Sequence, residues 1–241
     1  MMPIKISKVL LIALALFSFR AYADTYTVTT LGDSVGLCTG ASPSFSCTTL
    51  RAAIDEANAT IAVDDTIVFN VSGTITLLST LPTVTDTVVI NGSNVVSIAS
   101  GAFETLTFED PEADNSQLLN LGFTGTVDPA STVRVNGASN MLLQGNTFVM
   151  GATTGSAILV SNSDNVTTNN NHVSGGVYSI NYYNTASSPY LASPAYNGTI
   201  TNNTVTGGSS GIALFTADNI LVDGNTTVSY THLTLPTILL V

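Results

Sequence analysis

The residue types able to carry chemistry are few and unevenly placed. Beyond residue 23 the basic side chains are Arg51 and Arg134, and no lysine remains. Arg134 lies in Thr132-Val-Arg-Val-Asn136, where alternation with Val133 and Val135 turns it outward from a strand. There it could serve as a base for proton abstraction, or sit in solvent as an ordinary surface arginine. Glu109, Asp110, Glu112 and Asp114 crowd around Pro111. Such hard oxygen donors suit Ca²⁺, but the segment lacks the glycine and spacing of a calcium loop, and a solvated acidic turn is the plainer reading. Asp64 and Asp65 form the one adjacent aspartate pair. Glycoside hydrolysis needs two carboxylates across a bond, whereas Asp65 reads as the start of a strand. His172 follows Asn171 at a bend and has no second histidine near it in sequence, which makes it a weak ligand.

Tyrosine gives the best binding signal. Tyr178, Tyr182, Tyr183, Tyr190 and Tyr196 place five of eight tyrosines within 19 residues, among Pro189, Pro194, Ser and Asn. An aromatic loop of this kind can stack on sugar rings while polar neighbours fix hydroxyls. The alternative is that the rings pack the loop onto the body of the fold. Tyr182, Tyr183, Tyr190 and Tyr196 are the candidate ligand-binding residues.

Residues 1–23 read as a signal peptide. Lys5 and Lys8 precede an apolar run from Val9 to Phe17, and Ala21-Tyr-Ala23 supplies a cleavage pattern, so the mature chain is expected to begin at Asp24. The apolar run is too short for a membrane span. Export places Cys38 and Cys47 in an oxidising compartment, which predicts a local disulfide. The chain carries 16 carboxylates against five basic residues and a net charge of −11, a poor surface for nucleic acid. Residues 228–241 break the pattern before them. Val228 to Thr237 resembles the translation of a sequencing adapter read in frame, so residues 228–241 are expected to be a non-native tail; the alternative is one last strand, since the segment is β-prone.

The elements that must position these groups are strands. Thr25 to Thr30 alternates polar and apolar, as an edge strand does. Leu50, Ala53, Ile54 and Ala57 share one face of a short amphipathic helix, suited to capping a solenoid end. Short apolar alternations then recur between Asn/Gly turns: Ile67-Phe69-Val71, Ile75-Leu77, Val88-Ile90, Val96-Ile98 and Leu106-Phe108. Asn-x5-Asn repeats at Asn140/Asn146, Asn165/Asn171, Asn197/Asn203 and Asn219/Asn225, in steps of 25, 32 and 22 residues. Repeats of this length cannot bury their apolar residues singly and must stack. The columns Met141, Val166, Gly198, Ile220 and Leu143, Thr168, Ile200, Val222 are predicted to point inward. Asn146, Asn171, Asn203 and Asn225 are predicted to form a structural ladder at a bend, where asparagine tolerates left-handed backbone. The expected organisation is a cap and first coil over 24–83 and further coils over 84–227.

Residues 24–99 resemble the N-terminal cap of many large secreted or surface-displayed bacterial β-helix proteins. The resemblance rests on Tyr26-Thr-Val-Thr-Thr30, Cys38, Cys47-Thr-Thr-Leu-Arg-Ala-Ala-Ile54, Glu56-Ala-Asn58, Asp65-Thr-Ile-Val-Phe69 and Gly73-Thr-Ile-Thr-Leu77. Residues 100–227 resemble the repeats of the pectin-lyase-like superfamily. The resemblance implies an all-β chain, a right-handed parallel β-helix with a capping strand and helix. It says little of activity, because the fold hosts lyases, hydrolases, adhesins and stalks. The expected function is a secreted or cell-surface stalk or adhesin-like protein touching polysaccharide or a surface glycan, with no cofactor beyond a candidate Ca²⁺. The alternative is a polysaccharide lyase or glycoside hydrolase whose catalytic coils lie beyond this sequence. The polygalacturonase-like set of Asn-Thr-Asp, Asp-Asp, Gly-His-Gly and Arg-Ile-Lys is absent.

Overall fold

A computed structural model describes residues 23–60, 64–109, 111–125, 131–151, 155–183, 197–217 and 219–228. Parallel strands stack into a β-solenoid of about six turns, with one short helix at its N-terminal end. Three sheets of ten, seven and five strands form its faces. One full coil contributes a strand to each. Leu142–Gln144, Thr147–Met150 and Ser156–Ser161 make one such coil, and Val166–Asn169, His172–Ser174 and Tyr178–Tyr183 the next.

Coils pair in register, so each inward position meets its equivalent in the next coil. On the first sheet Tyr26, Ile67, Ile90, Leu118, Leu143, Thr168, Ile200 and Val222 form one column. On the second sheet the column runs Ile75, Ile98, Phe123, Phe148, Val173 and Val205. Phe123 and Phe148 stack at 4.9 Å and 10°. A one-residue slip would turn every such column outward, so the alternating pattern fixes the register. The predicted inward columns are found. Ile220 and Val222 are the exceptions in burial, the first partly buried and the second exposed, because the described coils end beside them.

The cap explains its own motif. Thr49 Oγ1 accepts from the Ala52 amide at 3.2 Å and starts the helix Leu50–Ala57. Leu50, Ala53, Ile54 and Ala57 are buried on its inner face. Arg51 Nη2 meets both carboxylate oxygens of buried Asp33 at 2.9 Å and the Ser79 carbonyl at 3.0 Å, while Nη1 donates to the Thr80 carbonyl at 2.7 Å. Asn58 Nδ2 donates to the Thr83 carbonyl, and its Oδ1 accepts from the Thr85 amide. The helix is thereby stapled to the 79–85 segment of the first coil. Cys38 and Cys47 form a disulfide across the antiparallel hairpin of Cys38–Ala41 and Ser44–Cys47.

The asparagine ladder divides its labour differently from the expectation. Asn146, Asn171, Asn203 and Asn225 supply the side-chain bonds, but the left-handed backbone sits one residue earlier. Gly145, Asn170, Asn202 and Gly224 have φ of 68°, 52°, 55° and 63°. Asparagine and glycine are the residues that enter this region at low cost. The sharp bend between first and second sheets thus uses one residue to turn and the next to tie coils together.

Candidate functional site

The third sheet carries the candidate residues on its outer face. Strands Leu106–Glu109, Val133–Asn136, Ser156–Ser161, Tyr178–Tyr183 and Ser210–Phe215 lie side by side. Inward positions are filled by Val133, Val135, Ile158, Val160, Ile180 and Tyr182, all fully buried. Two outward rows therefore cross the coils. One runs Thr107, Arg134, Leu159, Asn181, Ala213, and the other Glu109, Asn136, Ser161, Tyr183, Phe215.

Tyr182 and Tyr183 fall on opposite sides of the strand. Tyr182 is fully buried and its hydroxyl donates to the Val166 carbonyl at 3.1 Å. Burial pushes its phenol well above the ordinary range. Tyr182 is therefore corrected from a candidate sugar-stacking residue to a core residue, since strand alternation puts it on the same side as Ile180. Tyr183 faces outward and is 41% exposed, in register with Phe215 at 42%. Tyr178 meets the Phe215 ring edge to face at 5.5 Å. Tyr190 and Tyr196 lie outside the described residues.

Phe215 was missed by sequence reading, because it stands outside the tyrosine cluster. Its position 32 residues after Tyr183 equals the long repeat step, which is the signal that could have found it.

The row beside the aromatics mixes polar and apolar residues and is partly buried. Arg134 does face outward, and its Nη1 lies 3.8 Å from Glu104 Oε1. Glu104 also accepts from Ser131 at 3.1 Å. Among the described residues, Arg134 Nε and Asn181 Oδ1 are buried with no hydrogen-bond partner. No second basic side chain accompanies Arg134 on this face among the described residues.

The acidic candidates are dispersed. Glu109 accepts from Asn136 Nδ2 at 3.0 Å on the outer face of the third sheet. Glu112 is exposed in the turn Pro111–Ala113. Asp114 caps the Ser139 amide at 2.5 Å at the corner before the first sheet. That corner repeats, since Ser139 Oγ accepts from the Asp164 amide and Asp164 Oδ1 from the Asn197 amide. Asp114 is thus the first rung of a second coil-to-coil ladder. Asp110 lies outside the described residues, and among those described no three His, Cys, Asp or Glu side chains gather as a metal group. His172 is exposed on the second sheet, in register with Thr147 and Thr204. A shallow groove of about 310 Å³ on that same face is lined by Ser97, Gly122, Thr124, Thr147 and Val149 and holds no titratable group. No helix of the described residues is long and apolar enough to cross a membrane. No protein-family model matches the chain, and no curated protein matches it.

Proposed function

We propose that this chain is an exported β-solenoid, secreted or held at the cell surface, that acts as a stalk or adhesin-like scaffold and contacts carbohydrate. Residues 1–23 direct export and are removed before Asp24. The ladders support the scaffold role, because they tie neighbouring coils together along the axis from Asp114 onward. The carrying observation for carbohydrate is the exposed pair Tyr183 and Phe215, in register on neighbouring coils. Exposed rings on a rigid sheet offer a stacking platform without an ordering cost. Arg134, partly exposed on the neighbouring outward row, supplies a hydrogen-bonding group for ring hydroxyls.

The test is binding of the exported protein to a panel of immobilised polysaccharides, repeated with Tyr183→Ala and Phe215→Ala. Retention of wild-type affinity by both variants would remove this face as the contact. Release of unsaturated or new reducing ends from any polysaccharide would replace the scaffold reading with an enzymatic one.

A further inference from the structure

Acidic side chains are buried where the chain enters the fold. Asp24 is 5% exposed and Asp65 fully buried, while Ala23 just before them is exposed. The Asp24 backbone nitrogen donates to Asp65 Oδ1 at 2.9 Å. Thr60 Oγ1 donates to the other carboxylate oxygen, Oδ2, at 2.5 Å. The Asp24 carbonyl accepts from the Thr66 amide at 2.8 Å, which pins the residue to the first sheet. Neither Asp24 nor Asp65 has an ion-pair partner among the described residues, and Asp24 Oδ1 is buried without a hydrogen bond there. A buried carboxylate held by neutral donors alone is costly.

We propose that removal of residues 1–23 converts the Asp24 nitrogen into an ammonium that forms a buried ion pair with Asp65, so that processing completes the cap. This rests on the export reading above. The step is hydrolysis of the Ala23–Asp24 peptide bond by a leader peptidase. Water adds across the bond, Ala23 departs with the leader as a carboxylate, and the Asp24 amine takes up a proton. The nitrogen already sits against Asp65, so the charge arrives without rearrangement. The new group has three donors, and the unpartnered Asp24 Oδ1 is a second acceptor on the same residue.

The neighbouring carboxylates favour a cation, whereas burial by itself disfavours either charge. Burial, first, holds the Asp65 carboxyl above its ordinary range, with the Asp24 and Asp86 carboxylates adding to it. Burial likewise pushes the nearby Tyr26 phenol up to about 12, with the charges of Asp65, Asp24 and Glu56 adding to it. A chain still bearing its leader has a peptide N–H at this point and a weaker cap. It is easier to keep unfolded during passage across a membrane. Cleavage then locks the N-terminal end of the solenoid.

The sequence makes the test clean. Beyond residue 23 there is no lysine, so the α-amine of the processed chain is its one primary amine. The full chain is exported from a bacterial host and its N-terminus located by mass. An amine-acylating reagent is then applied to the folded and the denatured protein. An ion pair that raises the amine pKa by about one unit cuts the reactive neutral fraction about tenfold. We expect the folded amine to react at least about tenfold more slowly than the denatured one, and Asp65→Asn to remove most of that protection. If Asp65→Asn does not fold, an NMR titration of the wild-type amine decides, with a pKa above the ordinary range of about 7.7–8.0 expected. Equal folded and denatured rates, or an amine pKa at or below that range, overturn the proposal. A mass showing cleavage at another bond overturns it while leaving export standing, and a mass retaining residues 1–23 overturns both.

Discussion

Asn171 Oδ1 accepts two hydrogen bonds from Asn146 of the preceding coil, one from the backbone N–H at 3.0 Å and one from Nδ2 at 3.1 Å. Asn171 Nδ2 then donates to the Leu143 carbonyl at 2.9 Å and to Asn203 Oδ1 at 3.0 Å. Every polar atom of this buried side chain is used. Alanine at 171 leaves the Asn146 backbone N–H without its partner and takes one bond each from Leu143 O, from Asn146 Nδ2, which keeps the Leu118 carbonyl, and from Asn203 Oδ1, which keeps the Asn171 N–H. The orphaned buried donor costs about 1–3 kcal/mol and each further lost hydrogen bond about 1 kcal/mol, so Asn171→Ala should destabilise by about 3 kcal/mol or more. Asn225→Ala, at the less buried end of the ladder, should cost about 1 kcal/mol. Urea denaturation of the two variants checks the difference. Equal losses would mean that the ladder is not cooperative with burial.

The same ladder shows what was legible in the sequence. Asn-x5-Asn gave the coil register because a rung must recur at the same bend in each turn. It did not reveal that Gly145, Asn170, Asn202 and Gly224 take the strained backbone, since both residues of an Asn-Asn pair look equally able to. Strand parity makes Tyr182 a core residue, which its place in a tyrosine cluster hides. Ile180 and Tyr182 share a strand face, so a buried Ile180 predicts a buried Tyr182. Arg51–Asp33 and Asp24–Asp65 span 18 and 41 residues through turns, and no periodicity links their members. The role of Asp114 as a rung to Ser139 was not legible, because a composition cluster hides which direction each carboxylate takes.

Tyr182 and Tyr183 should separate stability from binding. Tyr182→Phe removes one buried hydroxyl bond to Val166 and should cost about 1 kcal/mol with no effect on carbohydrate affinity. Tyr183→Ala should leave the melting temperature within about 2 °C, as exposed substitutions do, while weakening carbohydrate binding by at least about tenfold. Thermal melts run beside polysaccharide binding give both numbers. A drop in affinity for Tyr182→Phe without loss of fold would sink the division of roles.

Arg51 and Asp33 should behave as one unit. Their side chains are 14% and 1% exposed, so removing either partner strands the other. Arg51→Ala and Asp33→Ala should each cost about 3–5 kcal/mol. The double variant should cost much less than the sum, because no charge is then left unpaired. Additive losses in a double-mutant cycle would show that Arg51 acts mainly through the Ser79 and Thr80 carbonyls.

The Cys38–Cys47 disulfide closes a short loop of sequence separation 9. Loop-closure entropy at this length gives about 2–3 kcal/mol. The unreduced protein should weigh two hydrogens less than its dithiol form. Reduction should lower stability by that amount and leave the coils intact, because the bond lies within the cap hairpin. Loss of all β-signal on reduction at room temperature would mean that the cap nucleates the whole solenoid.

Asp65 should make stability depend on pH in a way that reports processing. Burial raises its folded pKa above the ordinary 3.8, partly offset by hydrogen bonds from Thr60 and the Asp24 amide. A carboxyl with a raised folded pKa binds its proton more tightly in the fold. Its contribution to stability is therefore fully present below 3.8 and is lost as pH rises through the folded value. A chain retaining residues 1–23 should lose stability across that window, and Asp65→Asn should flatten the loss. The processed chain adds an ammonium that favours the ionised carboxylate, which lowers the folded pKa and should cancel or reverse the slope. Denaturation midpoints of both forms between pH 3 and 7, with and without Asp65→Asn, separate the cases. Identical pH profiles for leader-bearing and processed chains would show that the charge at residue 24 does not reach Asp65.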